Sequence, residues 1–414
     1  MTVHFRFARP EELDEIVRLT RHSFPGVGRD HDWWMSRYRE TVYGDGTEIL
    51  WVGEDSGRLV ATCQLHRIVH HVSEAEFPSM GLGTVAIAPT YRQRGFGGRM
   101  VATALEAASD RGDLLSSLYP FRASFYGRLG YGLCGDTHQY HIAPEALPSS
   151  ELRAAVEVLS GGDDLREIVE LYDRWARTQT GQVKRDARVW ASLLAVEDRL
   201  LVAYRGTHGQ LEGYALASYP TELPPQERYL SIEEHAWTTP EARRALYGWM
   251  ASMGDQWRAL TLRALPEHRL EDWLREPRLG GGPVPQWGLW FPSAVLMRGP
   301  MFRVLKVDEA WSRRAVDPEA SLTLRLDVTD EQLATNSGSW RLRLEGGTVA
   351  VERGTGAADL TLRTGIQALS RIFLGALPPS AALAAGLVEV EGVDRLRKLD
   401  RALALPGSWT FDRY

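Results

Sequence analysis

The chain has 414 residues, of which 48 are basic and 54 acidic, giving a formal net charge of −6, and 44% are apolar. At roughly 100–200 residues per domain, this length predicts two to four domains, and the interspersed charges exclude a disordered chain. The negative charge argues against nucleic acid as a partner and mildly favours cationic ligands. No apolar run approaches the ~20 residues that span a membrane.

The amino-terminal residues contain no apolar signal segment, and the two cysteines are not spaced like metal ligands or a disulfide framework. We therefore predict a reduced, cytoplasmic protein without a metal.

Residues 1–145 alternate between strand-like and helix-like patterns. A period of two and apolar runs predict strands at residues 3–7, 49–54, 58–72, 81–88, 114–119 and 131–142. Apolar spacings of three and four predict helices at residues 10–24, 98–111 and 121–129. The segment Asp55-Ser56-Gly57 has the composition of a hairpin turn, and Gly112 and Gly130 stand where helices end.

The next segment repeats this order. Helices are predicted at residues 165–179, 187–196 and 240–254, and strands at residues 200–204, 213–219, 229–237 and 257–265. A second hairpin turn, at residues 207–209, precedes the loop at 238–240 by about 31 residues. In the first segment about 33 residues separate the turn at 55–57 from the loop at 88–90. The matching order and spacing predict an internal duplication.

The breaker run at residues 280–285 marks a boundary, beyond which the pattern changes. Strands with a period of two are predicted at residues 321–328, 340–344, 348–351 and 360–363, and amphipathic helices at 366–374 and 393–403. This part is expected to be an antiparallel sheet with helices packed on one face. We predict three domains of an α+β protein, at residues 1–146, 147–292 and 293–414.

The most informative motif is the sequence VAIAPTYRQRGFGG at residues 85–98, in which a strand enters a glycine-rich loop that opens a helix. Unpaired N–H groups at such a helix start bind phosphate oxygens, and Gly95 and Gly97 allow close approach of a pyrophosphate. A dinucleotide fingerprint is excluded because Met100 stands where its third glycine belongs, and a P-loop because no Gly-Lys-Ser/Thr follows. A glycine-rich connection without a ligand is the alternative.

The pattern Arg92-x-x-Gly95-x-Gly97 resembles the coenzyme A loop of the GNAT N-acetyltransferases. The segment ASFYGRLGYG at residues 123–132 resembles the Phe-Tyr…Gly-Tyr/Phe segment that follows the fifth strand in that superfamily. An acetyltransferase unit, a degenerate copy and a domain similar to sterol carrier proteins together resemble the enhanced-intracellular-survival (Eis) acetyltransferases. This resemblance implies a hexamer that uses acetyl-CoA to acetylate amines, including aminoglycosides.

The resemblance also implies a set of site residues. Those expected at the cofactor are Val85, Ala86, Ile87, Arg92, Gln93, Arg94, Gly95, Phe96, Gly97, Gly98, Phe121 and Arg122. Backbone N–H groups of the strand would polarise the acetyl carbonyl and pair with pantetheine amides. Tyr126 matches the acid that protonates the departing thiolate, and its alternative role is ordinary packing on a short helix.

The general base is implied at the end of the chain, whose last residues, WTFDRY, are aromatic where most termini are polar. In the resembling family the C-terminal carboxylate enters the active site and acts as the base. In this chain that group is the main-chain carboxylate of Tyr414. With a pKa near ~3.5 it needs desolvation or a bridging water to act as a base. The alternative is a terminus that only completes a sheet.

Acidic and aromatic residues suggest where the acceptor amine binds. Asp30, Asp32 and Trp33 would attract a polycation by charge and cation–π interactions, with Asp412 as a further candidate. The alternative is that Asp32 caps a helix and the tryptophans belong to the core. The second unit has no glycines at residues 239–245 and an acidic Glu241, so we predict that it binds no coenzyme A.

The sequence thus predicts an acetyl-CoA-dependent N-acetyltransferase acting on a small-molecule amine such as an aminoglycoside or polyamine, as a homo-oligomer. Two other functions stay open: a coenzyme-A-binding sensor or scaffold, and a lipid carrier fused to vestigial transferase domains. The sequence does not identify the acceptor.

Overall fold

The computed structural model describes residues 3–25, 30–43, 48–159, 163–196, 198–219, 229–278 and 291–412. Contacts divide the chain into two units, the first comprising Met1–Cys134, Gly299–Ser408 and Asp412–Tyr414 and the second Gly135–Arg298 and Trp409–Phe411.

Residues 3–134 contain the strands β1 (His4–Phe7), β2 (Glu48–Asp55), β3 (Arg58–Val72), β4 (Ala75–Ile87), β5 (Leu115–Leu118) and β6 (Gly132–Leu133). Their helices are α1 (Leu13–Ser23), α2 (His31–Tyr43), α3 (Phe96–Arg111) and α4 (Ala123–Gly127). Residues 135–298 contain the strands β7 (Asp136–Ile142), β8 (Val156–Leu159), β9 (Thr180–Val183), β10 (Arg199–Arg205), β11 (Leu211–Ser218), β12 (Leu230–Trp237), β13 (Leu260–Ala264) and β14 (Val295–Arg298). Their helices are α5 (Asp163–Ala176), α6 (Ala187–Leu194) and α7 (Pro240–Ala251).

Residues 299–412 contain the strands β15 (Met301–Val304), β16 (Ser321–Thr329), β17 (Gly338–Glu345), β18 (Thr348–Arg353), β19 (Leu360–Gly365) and β20 (Val388–Glu391). Their helices are α8 (Val307–Arg313), α9 (Ile366–Phe373), α10 (Pro379–Ala384) and α11 (Leu396–Ala402). None of the helices in the described ranges has the length and apolar run that crossing a bilayer requires.

The first sheet has the strand order β1-β2-β3-β4-β5-β15-β6. The predicted hairpin turn joins β2 to β3, with positive φ at both Ser56 (51°) and Gly57 (79°), as a two-residue turn of this kind requires. The strands β4 and β5 are parallel, and their register joins Ser79–Gly81 to Leu115–Ser117. Because β4 runs on to Ile87, the two strands separate before β4 ends.

The second sheet has the order β14-β7-β13-β12-β11-β10-β8, and among its described strands β12 and β13 form the one parallel pair. In both sheets the parallel pair is flanked in the same way. Three antiparallel strands follow on one side of the pair, and two antiparallel strands follow on the other. This shared arrangement supports the predicted duplication.

The prediction that residues 131–142 form one strand of the first unit is wrong. These residues are divided into β6, at the edge of the first sheet, and β7, which pairs with β13 in the second. The place beside β5 is taken by β15, whose Met301 pairs with Leu118. Local alternation gives the same pattern whichever sheet a strand joins, so the exchange has no signature in the sequence.

The third sheet has the order β18-β17-β16-β19-β20. The prediction that it is antiparallel is wrong at its centre, because β16 and β19 are parallel, with Leu324 opposite Leu360. After β16 the chain forms the β17–β18 hairpin on one side and then crosses to the other, so β19 enters in the same direction as β16. Periodicity shows which face a residue occupies but does not show strand direction.

The first unit has a continuous core in which residues of β15 and of the third sheet pack together. Phe302, Trp311 and Phe373 are buried in it. A neighbouring cluster, which includes Met100, Leu105 and Tyr126, packs α3 and α4 on the first sheet. The candidate site is therefore held by a packed scaffold.

Candidate active site

A glycine-rich loop joins β4 to α3, as predicted. Residues Pro89–Tyr91 form a 3-10 turn, and the Tyr91 hydroxyl donates a hydrogen bond of 2.8 Å to Asp55 at the β2–β3 turn, which anchors the loop. Positive φ angles then occur at Gln93 (61°) and Gly95 (80°), and α3 begins at Phe96. The left-handed φ at Gly95 explains why glycine stands there.

The N-terminus of α3 is suited to an anion. No side chain caps it, its first turn contains no acidic residue, and the amide of Arg99 makes a helical bond to the Gly95 carbonyl. The amides of residues 96–98 precede that bond and have no partner within the helix. They also carry the positive end of the helix dipole, so phosphate oxygens are favoured here.

Gly97 and Gly98 face different surroundings. A Cβ at Gly97 would lie 3.5 Å from the Phe125 ring and 3.6 Å from the Ile87 side chain, so this residue packs the loop against α4 and β4. A Cβ at Gly98 would meet no atom within 4 Å. The space over Gly98 is therefore open to a ligand that approaches the helix start.

The end of β4 presents backbone groups to the opening between β4 and β5. A bulge interrupts its pairing with β3, and Thr84 there has a φ of 43°. The Ala88 amide donates to the Val60 carbonyl on β3, and amides alternate along a strand, so the Ile87 amide faces away from β3. The Ile87 carbonyl accepts from the Arg92 guanidinium at 3.2 Å.

The other residues predicted at the cofactor lie around this opening. Ala86 is buried and pairs with Thr62, whereas Arg92, Gln93 and Arg94 are exposed. Phe121 is 70% exposed, and Arg122 occupies the position before α4.

Tyr126 lies in α4 and is 3% exposed. Its ring contacts those of Phe125, Phe121 and Tyr131 at centroid distances of 4.9, 5.5 and 6.0 Å. Burial is the main cause that raises the pKa of its phenol, followed by the neighbouring Tyr131 and Cys63, so the hydroxyl stays protonated near pH 7.

The hydroxyls of Tyr126 and Tyr131 differ in their partners. Tyr131 is hydrogen-bonded to Ser116 at 2.7 Å. For Tyr126, no hydrogen-bond partner is found among the residues that the structure describes. A donor that no described residue engages is available to a ligand.

The start of α2 contains the residues predicted for the acceptor. Asp30 accepts a hydrogen bond from the Trp33 amide at 2.8 Å, so Asp30 is the helix cap and the alternative that assigned this role to Asp32 is wrong. The Asp32 side chain is 99% exposed. Trp33 is 38% exposed and packs edge-to-face on the buried Trp34. That these residues bind an amine stays a prediction.

Sequence reasoning missed Tyr119, which directly follows β5. Its hydroxyl donates to the backbone carbonyl of Asp412 at 2.9 Å, although the two are 293 residues apart in sequence. A bond from a side chain to a distant carbonyl leaves no pattern in the sequence. Tyr414 lies outside the described residues.

Comparisons with known proteins agree with this architecture. Residues 4–134 and residues 181–304 each match a family model of an acetyltransferase (GNAT) domain, and residues 307–410 match the model of a sterol carrier protein domain. The N-acetyltransferase Eis of Mycobacterium tuberculosis is 26% identical over 381 residues, which cover 89% of each chain. The chain is an Eis-like acetyltransferase of the GNAT superfamily.

Two further proteins are similar to this Eis-like acetyltransferase. An uncharacterized N-acetyltransferase of Streptomyces avermitilis is 28% identical over 348 residues, which cover 78% of this chain and 77% of that protein. The crystal structure of a GCN5-related N-acetyltransferase from Anabaena variabilis superposes with a TM-score of 0.85 at 19% identity and covers both chains completely. The latter likeness concerns the fold.

Proposed function

We propose that this enzyme transfers the acetyl group of acetyl-CoA to primary amines of small polycationic molecules, aminoglycosides among them. The observation that carries the proposal is the pairing of a glycine-rich helix start that no side chain caps with the Tyr126 hydroxyl, for which no partner is found among the described residues. A Cβ added at Gly97 would lie 3.5 Å from the Phe125 ring, and Phe125 packs on Tyr126, so the proposed anion-binding loop and the proposed acid are neighbours.

Acetyl-CoA supplies an activated acetyl thioester. The α3 amides and the exposed Arg92 and Arg94 hold its phosphates. The Ile87 amide, which faces away from β3, donates to the carbonyl where negative charge develops. Closing of this site by Phe121 and Phe125 excludes water from the thioester.

The transfer forms a bond between the amine nitrogen and the acetyl carbon and breaks the bond from that carbon to sulfur. Tyr126 donates its phenolic proton to the departing sulfur, for which it must be protonated beforehand, as its raised pKa ensures. A cationic amine loses two protons in becoming the amide. A base takes one of them before the attack, and the other replaces the proton that Tyr126 gives to the sulfur, so one proton is released overall.

We propose the carboxylate of Tyr414 as that base, acting directly or through a water. The Tyr119–Asp412 hydrogen bond supports this proposal. It holds the backbone two residues before Tyr414 beside the end of β5, and two residues span at most about 7 Å. The Asp412 carboxylate is then a candidate group to attract the cationic acceptor.

We also propose a homo-oligomer, a hexamer by resemblance. Supporting this, β14 is an edge strand of the second sheet, and its Val295, Leu296 and Met297 are 50%, 50% and 41% exposed. An exposed apolar edge strand is a template for pairing with another chain. Light scattering after size-exclusion chromatography tests this, and a monomeric mass at micromolar concentration contradicts it.

The experiment that tests the function is continuous detection of thiol release from acetyl-CoA in the presence of single amines. The panel contains several aminoglycosides, spermidine, an arylalkylamine and a lysine peptide. Turnover with the polycations is expected. Tight acetyl-CoA binding without thiol release for any amine contradicts the proposal and favours a sensor.

The base is tested separately by extending the chain with two glycines after Tyr414, which removes its carboxylate. A large loss of kcat with unchanged acetyl-CoA affinity is expected. Unchanged kcat excludes the Tyr414 carboxylate from the mechanism. Tyr119→Phe, which removes the bond to Asp412, is expected to give a partial loss in the same direction.

A further inference from the structure

The second unit contains a cavity of about 350 Å³ at the carboxyl end of its parallel strand pair. The register joins Leu230–Ile232 of β12 to Leu260–Leu262 of β13, after which β12 runs on to Trp237. Trp237 lines the cavity from the end of β12, and His268 lines it from the turn after β13. Small ligands commonly bind where parallel strands end and separate.

The features that favour coenzyme A in the first sheet are absent from the corresponding described residues here. The Thr239 hydroxyl caps α7 by accepting from the Ala242 amide at 3.2 Å, Pro240 lacks an N–H group, and Glu241 adds negative charge. A phosphate at this helix start would find fewer free amides than at α3 and would lie beside the negative charge of Glu241. These observations support the prediction that the second unit binds no coenzyme A.

The Arg243 guanidinium, which belongs to α7, is held among aromatic rings. It lies 4.3, 4.9 and 5.3 Å from the ring centroids of Trp273, Trp237 and Tyr247 and donates to the His268 carbonyl at 2.8 Å. A cation held between aromatic rings in this way is a stable packing element. The remaining cavity is therefore the part that faces the end of α5.

Arg174 contributes a positive charge to the wall of the cavity. Along α5, Arg166 pairs with Glu170 and Arg177 pairs with Asp173. Arg174, which lines the cavity, donates to the Leu211 carbonyl at 2.8 Å, and no carboxylate within the described ranges forms an ion pair with it. An arginine has five donors in a planar fork, so donors are left for a bound oxyanion.

His268 supplies a second polar group. Its Nδ1 is shielded from solvent and makes no hydrogen bond to any described residue. Burial, together with the nearby Arg243 charge, lowers the pKa of His268, so the ring is neutral near pH 7 and offers one hydrogen bond without a charge. One arginine and one neutral imidazole fit a singly charged oxyanion better than a phosphate dianion.

Of the other five lining residues, Trp175 and Trp237 are aromatic, and Thr178, Gln179 and Thr238 are polar. Trp175 stacks on Phe411 at 5.6 Å, and Trp237 stacks on His235 at 5.4 Å, so both indoles are held in place. Fixed indoles provide flat apolar surfaces for a planar ring. The volume is at the lower end of the range for small-molecule sites.

We propose that this cavity is a second ligand site, which binds a small aromatic carboxylate with its ring against Trp175 and Trp237 and its carboxylate on Arg174 and His268. The site lies within the second unit and does not use the residues proposed for acetyl transfer.

The test measures binding to the full-length protein by isothermal titration calorimetry with three probes that share an indole ring: indole-3-acetate (anion), tryptophol (neutral) and tryptamine (cation). Indole-3-acetate is expected to bind best and tryptamine least. Equal affinities for the anion and the neutral probe, or no binding of any probe at millimolar concentration, overturn the proposal.

Variants locate the site. Arg174→Gln is expected to weaken indole-3-acetate binding by about tenfold while leaving tryptophol binding unchanged. The matched control is Arg166→Gln on the same helix, whose side chain is 82% exposed, and it is expected to have no effect. Gln179→Trp, which fills the cavity, is expected to abolish binding of both probes. Binding that survives both cavity variants, or that saturating acetyl-CoA competes away, overturns the assignment.

Discussion

Arg303 and Asp330 form an ion pair in which neither side chain is exposed to solvent. Two contacts of 2.7 and 2.9 Å join the guanidinium to the carboxylate, and Asn336 donates to the same carboxylate at 3.0 Å. Arg303 also donates to the Leu129 carbonyl at 2.7 Å, two residues after the end of α4. The pair thus connects the loop before β17 to the segment that carries Tyr126.

Replacement of Asp330 by Asn is expected to lower the free energy of unfolding by about 3 kcal/mol, because a buried guanidinium is left without its counter-charge. Urea unfolding followed by tryptophan fluorescence measures the change. The control is Glu309→Gln, which breaks the exposed Lys306–Glu309 pair and should cost less than about 1 kcal/mol. Equal losses in the free energy of unfolding for the two substitutions would show that the buried pair stabilises the protein no more than the exposed one.

Tyr126→Phe is expected to reduce kcat by about a hundredfold and to change acetyl-CoA affinity by less than about threefold, because only the proton donor is removed. Burial raises the pKa of Tyr126, so the acid form persists and kcat should not fall on the alkaline side up to about pH 10. Steady-state kinetics and calorimetry check both expectations.

The control for this substitution is Tyr131→Phe, which removes the hydrogen bond to Ser116. It should cost about 1 kcal/mol of stability while leaving kcat within about threefold. Similar losses of kcat in the two variants would mean that the Tyr126 hydroxyl acts only through packing.

Gly98→Ala separates cofactor binding from stability. The new Cβ would meet no protein atom within 4 Å, and alanine in a helix is favoured over glycine by about 0.5–1 kcal/mol. The melting temperature should therefore stay constant or rise, whereas the KM for acetyl-CoA should rise about tenfold (~1.4 kcal/mol) because the methyl group occupies the space of the pyrophosphate.

A matched substitution for Gly98 is Gly365→Ala, at the residue before α9, where φ is −79° and the new Cβ would make an ordinary 3.8 Å contact with Thr329. It should leave the KM for acetyl-CoA unchanged. An unchanged KM in Gly98→Ala as well would place the pyrophosphate elsewhere.

His235 makes stability depend on pH. Burial lowers its pKa to about 4, whereas an unfolded histidine titrates near ~6.5. Between these values the unfolded chain binds more protons than the folded one, so this contribution to stability is complete above pH ~6.5. It is lost on acidification at about 1.4 kcal/mol per pH unit down to pH ~4.

His235→Gln should remove this part of the pH dependence, since glutamine can still donate to the Arg263 carbonyl that His235 contacts at 2.8 Å. Urea unfolding at pH 7, 6 and 5 measures the difference between the two proteins, in which the contribution of His268 cancels. Parallel stability curves for the two proteins would rule out His235 as the source.

The features that the sequence predicts well are those that depend on neighbouring residues. The hairpin turn at Ser56 and Gly57 requires two consecutive positive φ angles, and the types of the turn residues themselves predict such a turn. The same holds for the end of α3, where Gly112 adopts a φ of 100° and bonds back to the helix. The glycine-rich loop between these elements can therefore be predicted from the sequence alone.

The features that sequence reasoning misses depend on residues far apart in the chain. Nothing in residues 131–142 shows that they divide between two sheets, and Met301–Val304 is too short to stand out as their replacement. The contact from Tyr119 to Asp412 and the buried Arg303–Asp330 pair arise in the same way. Asp30 and Asp32 are both acceptable helix caps by type, and only the Trp33 amide decides between them.

The position of β15 has a consequence for how the protein is made. During synthesis on the ribosome, the glycine loop and Tyr126 emerge long before residues 301–304. Until β15 has been made, the backbone of β5 has no partner along the edge that β15 later occupies. A fragment cut at residue 146 would keep every residue proposed for the cofactor, yet it would display that open edge permanently and tend to aggregate. We therefore expect that soluble expression of residues 1–146 requires residues 299–408 to be supplied with them.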